Sequence, residues 1–157
     1  MTVQEFQAEK IESGAELLAF WLGTVPEDKR SWTPEVPGAA GLRTVLEMVA
    51  ECAAANRFFA GLLRRETPQG FNPFEVKANY ATLEAAQQDL ISSATECAAA
   101  VRALGDEDLV AEFTLRRGAM KGYQVIEFPY RNMAYHSGQL NYVQLLYGDA
   151  EFHLPTS

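Results

Sequence analysis

With 157 residues, a hydrophobic fraction of 48% and 22% charged side chains, the chain has the composition of an ordinary globular protein and length for one substantial core. Its formal net charge of -8 disfavours nucleic-acid backbones as partners, because such binding needs clustered Lys and Arg to neutralise phosphates. No apolar run approaches the ~20 residues that span a bilayer.

The start, MTVQEFQAEKIESG, is acidic and polar, unlike a secretory signal, so the expected compartment is the cytoplasm. A single domain over residues 1–157 is expected. Four segments have helical length and periodicity, an all-α pattern. The first runs from about Val3 to Gly23, with Phe6, Leu17, Leu18 and Trp21 on its inner face. GTVPEDKR ends it, and the prolines and glycines of SWTPEVPGAAG prevent an immediate helical return.

The second helix is expected from about Leu42 to Arg65. Its period places Val45, Met48, Cys52, Ala55, Phe59, Leu62 and Leu63 on one arc, with Arg57 and Arg64 opposite. RETPQGFNPFEVKAN forms the next loop. The third helix spans about Tyr80 to Leu104, where Leu83, Leu90, Cys97 and Leu104 recur every seven residues with Tyr80, Ala94 and Val101 interleaved. That is the narrow seam of antiparallel bundle packing. GDED terminates it. LVAEFTLRRGAMKGYQVIEF reads either as a short extended arm or as an irregular lead into the last helix, which starts at Pro129, runs to about Tyr147 and is capped by Gly148. Cys52 and Cys97 lack the spacing of a redox or zinc motif and read as buried reduced thiols.

The last helix carries an anomaly. Asn132, His136 and Gln139 fall inside the same arc as Leu140, Val143 and Leu146, and Glu51 falls inside an inward arc of the second helix with Phe58, Leu62, Ala55 and Met48. Buried carboxylates and imidazoles need partners. Two explanations stand. In one, Glu51 reaches Arg43, Arg131 or solvent while His136 bonds a backbone carbonyl. In the other, Glu51, Asn132 and His136 converge in a cleft between the second and fourth helices. Tyr135 and Tyr142 would line such a pocket and Trp32 would cover it, although each also suits simple packing. His153, in the tail EFHLPTS, suits an exposed or interface role.

VPEDKRSWTPE, TVLEMVAE and NMAYHSGQLNYVQLLYGD together resemble the DinB/YfiT-like metalloenzyme family, whose helix order, lengths and loop positions match nearly the whole chain. The most specific part is the histidine followed by Gly-Gln-Leu and an apolar tail ending in glycine. The resemblance implies an up-down-type four-helix bundle, with a short irregular or two-stranded insertion before the last helix. It also implies a homodimer and a divalent metal held by three histidines, at positions that here carry Glu51, Asn132 and His136. Only the last is a histidine, so the implied centre is degenerate: Ni or Zn bound weakly, or no metal at all.

Two functional classes follow. One is a metal-dependent hydrolase or thiol S-transferase acting on a small molecule, with Glu51 and His136 as ligands or acid/base pair. Asn132 would be a weak ligand or substrate-orienting group. The other is a non-catalytic small-ligand-binding or stress-associated bundle without metal, in which Glu51, His136, Asn132 and Gln139 satisfy one another.

Overall fold

The structure, a computed structural model, describes residues 1–66, 70–116 and 118–155. Positions 67–69, inside the loop expected after the second helix, and position 117, inside the segment read as an arm or lead-in, lie outside the described residues. Four long helices carry the fold: α1 (Val3–Thr24), α2 (Val45–Leu63), α3 (Leu83–Arg102) and α6 (Phe128–Leu146). Between α3 and α6 lie the short α4 (Asp106–Val110), the strands β1 (Glu112–Leu115) and β2 (Gly118–Lys121), and the single turn α5 (Gly122–Val125). The strands pair antiparallel, Glu112 opposite Lys121 and Leu115 opposite Gly118. The segment left open by its sequence pattern is therefore a two-stranded arm.

Threonines set the starts of α1, α2 and α3. Thr2 and Thr82 accept bonds from Glu5 N–H and Ala85 N–H, and Thr44 forms a reciprocal capping box with Glu47. These caps move α2 and α3 about three residues inward from the starts that apolar periodicity alone suggests. At its C-terminus α2 closes in a Schellman pattern, Glu66 N–H to Gly61 C=O and Arg65 N–H to Leu62 C=O, with Arg65 at φ 57. The corresponding position after α6 is taken by Gly148, at φ 99.

Side-chain pairs give the direction of each helix. Arg57 meets Asp89 and Arg64 meets Glu96, so α2 and α3 run parallel. Arg102, near the end of α3, holds Glu5 and Glu12 near the start of α1, while Gln87 donates to the Ala19 carbonyl; this pair is antiparallel. Glu51 faces His136 and Phe59 stacks on Phe128, making α2 and α6 antiparallel too. Gly14 lies against Tyr130, and Gln144 donates to Thr24, so α1 and α6 run together. The bundle is thus up-down-down-up, with α1 and α2 across its diagonal. A parallel α2–α3 neighbour pair requires the chain to return about 28 Å, the length of a 19-residue helix, which explains the long connection between them.

The expected arcs of α2 and α3 are buried apart from half-buried Leu83 and Tyr80. On α1 the expectation needs correction. Phe6 is 51% exposed, and Leu17 and Trp21 are half-buried; the face that closes on the other helices runs through Ala8, Ile11, Ala15, Leu18, Ala19 and Leu22. Small side chains let neighbouring backbones approach, which a count of bulky residues overlooks.

Gly122 is buried where α5 abuts α4, and a Cβ there would run into the Asp108 carbonyl oxygen. Gly122→Ala is therefore expected to destabilise the protein by about 1–3 kcal/mol through backbone overpacking. A lower urea midpoint at unchanged m would show it; an unaltered midpoint would mean that α4 and α5 separate freely.

Candidate metal centre

Antiparallel packing sets the middle of α6 against the middle of α2. Glu51 and His136 are both buried, and the Glu51 Oε2 lies 2.8 Å from His136 Nε2. Asn132, one turn before His136, donates its amide Nδ2–H to the same oxygen at 2.9 Å and lies 3.7 Å from Cys52 Sγ. On the other side of the imidazole, Nδ1 is 2.8 Å from Gln139 Oε1, and the Gln139 amide donates to the exposed Tyr135 hydroxyl at 3.0 Å. Tyr135 also sets its ring edge-on to the imidazole, centroids 5.3 Å apart.

The expected convergence of Glu51, Asn132 and His136 is thus present, with Gln139 and Tyr135 attached to it. Two other residues lie elsewhere. Tyr142 is 62% exposed. Trp32 packs edge-on against Tyr147, roughly 16 Å along α6 from His136 at 1.5 Å per residue, so it covers the far end of the helix. The arginines that the other explanation offered Glu51 bond other groups: Arg43 donates to the Pro73 carbonyl and lies over Phe74, and Arg131 pairs with Glu127. His153 bonds Asp149, and its carbonyl takes the Trp21 indole N–H, tying the tail to α1.

Sequence reasoning left out Cys52. One ligand atom from each of Glu51, Cys52 and His136 lies within 4.8 Å of the others, and all three residues are buried. The available signal was a cysteine directly following the inward glutamate; its place in the apolar arc made it read as packing.

Electrostatics follow from burial. Desolvation pushes the Glu51 carboxyl up, but hydrogen bonds from His136 and Asn132, with the charges of His136 and Arg43, outweigh it and leave the group below its usual range. Burial pushes the Cys52 thiol well up, and the neighbouring Glu51 charge adds to this. With the Gln139 amide as it stands, both imidazole nitrogens face acceptor oxygens. At 2.8 Å the Nε2–Oε2 contact is a hydrogen bond that holds one proton, and a cation bound by both atoms would take that proton's place. The donor set suits a cation of the borderline class: one nitrogen, one sulfur and one oxygen, with the histidine's remote nitrogen anchored by Gln139 as metal-bound histidines usually are.

An antiparallel-armed helical bundle with a buried Glu–Cys–His cluster between α2 and α6 is the class that fold and site define. Among solved structures, the chain is similar to the crystal structure of a DinB-like protein, YjoA, from Bacillus subtilis, with a TM-score of 0.68 over 96% of each chain and 16% sequence identity. The chain has the DinB-like fold, as the resemblance in its sequence implied. No protein-family model matches the sequence, and no curated protein matches it.

Removing the imidazole strands a buried carboxylate. His136→Ala is expected to cost about 3–5 kcal/mol, read from urea unfolding at neutral pH. Because the folded-state pKa of Glu51 is depressed, its ionised form adds stability above the unfolded-state carboxylate range, and this is lost as pH falls through the folded value. Glu51→Gln should flatten that acid limb of the stability–pH profile; an unchanged limb would mean that the pair does not couple to folding.

Proposed function

We propose that this chain is a metal-dependent enzyme of the hydrolase or thiol S-transferase kind, acting on a small molecule, with a divergent divalent-metal centre between α2 and α6. The observation that carries the reading is the convergence of the Glu51, Cys52 and His136 donor atoms within 4.8 Å in a buried place. Glu51 and His136 would hold the ion, Zn or Ni by donor chemistry, more weakly than three imidazoles would. When bound, such an ion supplies Lewis acidity that lowers the pKa of a coordinated water or thiol. The chain's own residues do the rest. Gln139 holds the imidazole ring in orientation, Tyr135 closes the outer end of the network, and Asn132 braces the carboxylate.

A second reading rests on a specific observation. Glu51 accepts from Asn132 and faces His136, while Gln139 bridges His136 to Tyr135, so these groups satisfy one another without an ion. In that case a proton occupies the Glu51–His136 line. The pair then serves as a metal-free acid/base group, or as the polar lining of a non-catalytic ligand-binding bundle.

The proposal includes a cytoplasmic homodimer. Two free buried thiols suit a reducing compartment, and no helix among the described residues is long and apolar enough to cross a membrane. Tyr135, Tyr142, Leu145 and Leu146 leave an exposed apolar row on α6 that suits a second copy.

Elemental analysis of the tag-free protein after dialysis separates the two readings. The metal reading expects zinc or nickel retained by the wild type and lost in His136→Ala. Sub-stoichiometric metal in both, unaffected by the substitution, selects the metal-free network.

A further inference from the structure

We propose that Cys52 coordinates the ion as a thiolate, which makes the centre a Glu–Cys–His site selective for thiophilic divalent cations such as Zn2+, Co2+ and Cd2+ over Mg2+, Ca2+ and Mn2+. This rests on the metal reading above and adds the ligand that decides which metal is taken.

Three observations carry it. The sulfur lies within 4.8 Å of both other donors, and Cys52 is fully buried, so the cluster gives it no competing solvent ligand. Asn132 Nδ2, placed 2.9 Å from the Glu51 oxygen and 3.7 Å from the Cys52 sulfur, points an N–H at both groups that would be anionic. An amide so oriented braces two ligands and offers no lone pair to the ion; the role left to Asn132 is that of a donor to the ligands. Finally, Gln139 Oε1 receives the far nitrogen of His136, which leaves Nε2 as the ligating atom. The set is then N, O and S from the protein, and a single thiolate is enough to favour borderline and soft ions over oxygen-seeking ones.

Charge and protons balance. On binding a divalent cation, the Cys52 thiol loses its proton to solvent, as does the proton shared by Glu51 and His136. The ion then faces two anionic ligands and one neutral imidazole. No oxidation is involved. Cys97, buried on α3 and outside the cluster, takes no part.

Titration of the metal-free 157-residue chain with Co2+, followed by absorption, tests the assignment. A thiolate ligand produces a sulfur-to-cobalt charge-transfer band in the near ultraviolet, together with the intense visible bands of a low-symmetry site. The expected result is both features in the wild type, loss of the charge-transfer band in Cys52→Ala and Cys52→Ser, and its persistence in Cys97→Ala. Excess Mg2+ should not displace the cobalt, and Cd2+ should. Cobalt binding with visible bands but no charge-transfer band overturns the thiolate and leaves the metal reading intact. No cobalt binding by folded wild-type protein overturns both. Circular dichroism of each variant establishes that it is folded, and the serine variant keeps nearly the size of the cysteine should alanine leave too large a void.

Discussion

A buried carboxylate facing a buried imidazole at hydrogen-bond distance is the constraint on which the arrangement of α2 and α6 turns. Neither Glu51 nor His136 tolerates that environment alone, since an unpaired buried charge costs several kcal/mol. Their mutual satisfaction requires the two helices to meet at one register. A slip of one residue would rotate His136 by about a quarter turn and leave Glu51 against apolar neighbours. The aromatic stack of Phe59 on Phe128 lies two turns away on the same interface and favours the same register through contact area. Polar and apolar determinants therefore agree, which is the condition for one well-defined packing.

The chain topology follows from that pairing. If α6 must lie antiparallel on α2, and α3 parallel beside α2, the remaining place for α1 is between α3 and α6, where its alanine-rich face is found. Such an order excludes tight turns between consecutive helices. The long connections before α2 and α3, and the hairpin with its flanking short helices before α6, are the price of this order. They also bring Arg43, at the end of the first connection, near enough to Glu51 to help hold it ionised.

How legible this was depends on what each residue's partners are. The inward arcs of α2 and α3 could be read because burial there is a property of one helix and its period. Phe6 was misplaced because the identity of a helix's closing face depends on what packs against it, and α3 and α6 close on small residues. The polar stripe of α6 was legible as an anomaly, and Glu51 as its counterpart, since charged groups inside an apolar arc demand a partner. Gln139 joins the imidazole within one helix, at a spacing that sequence displays directly. Cys52 could not be read in the same way. A cysteine in an apolar arc is fully explained by packing, and only the approach of α6 places its sulfur beside the other donors. Trp32 shows the converse limit: an aromatic in a loop has no period to say which end of a helix it will cover.

The polar cluster fixes one register, but most of the core's bulk lies outside it. The core comprises side chains such as Ile11, Leu18, Leu22, Val49, Leu90, Val101 and Leu140, none of which touches the polar cluster by a hydrogen bond. A bundle held in this way keeps its shape through wide sequence change, provided volumes and periods are kept, which accounts for a likeness covering 96% of the chain at 16% identity. The cluster has no such tolerance, because each member is fixed by the others. Glu51 brings a charge into the interface, and that charge needs donors, which Asn132 and His136 supply. A substitution at any one of them therefore leaves a buried polar group of another without its partner.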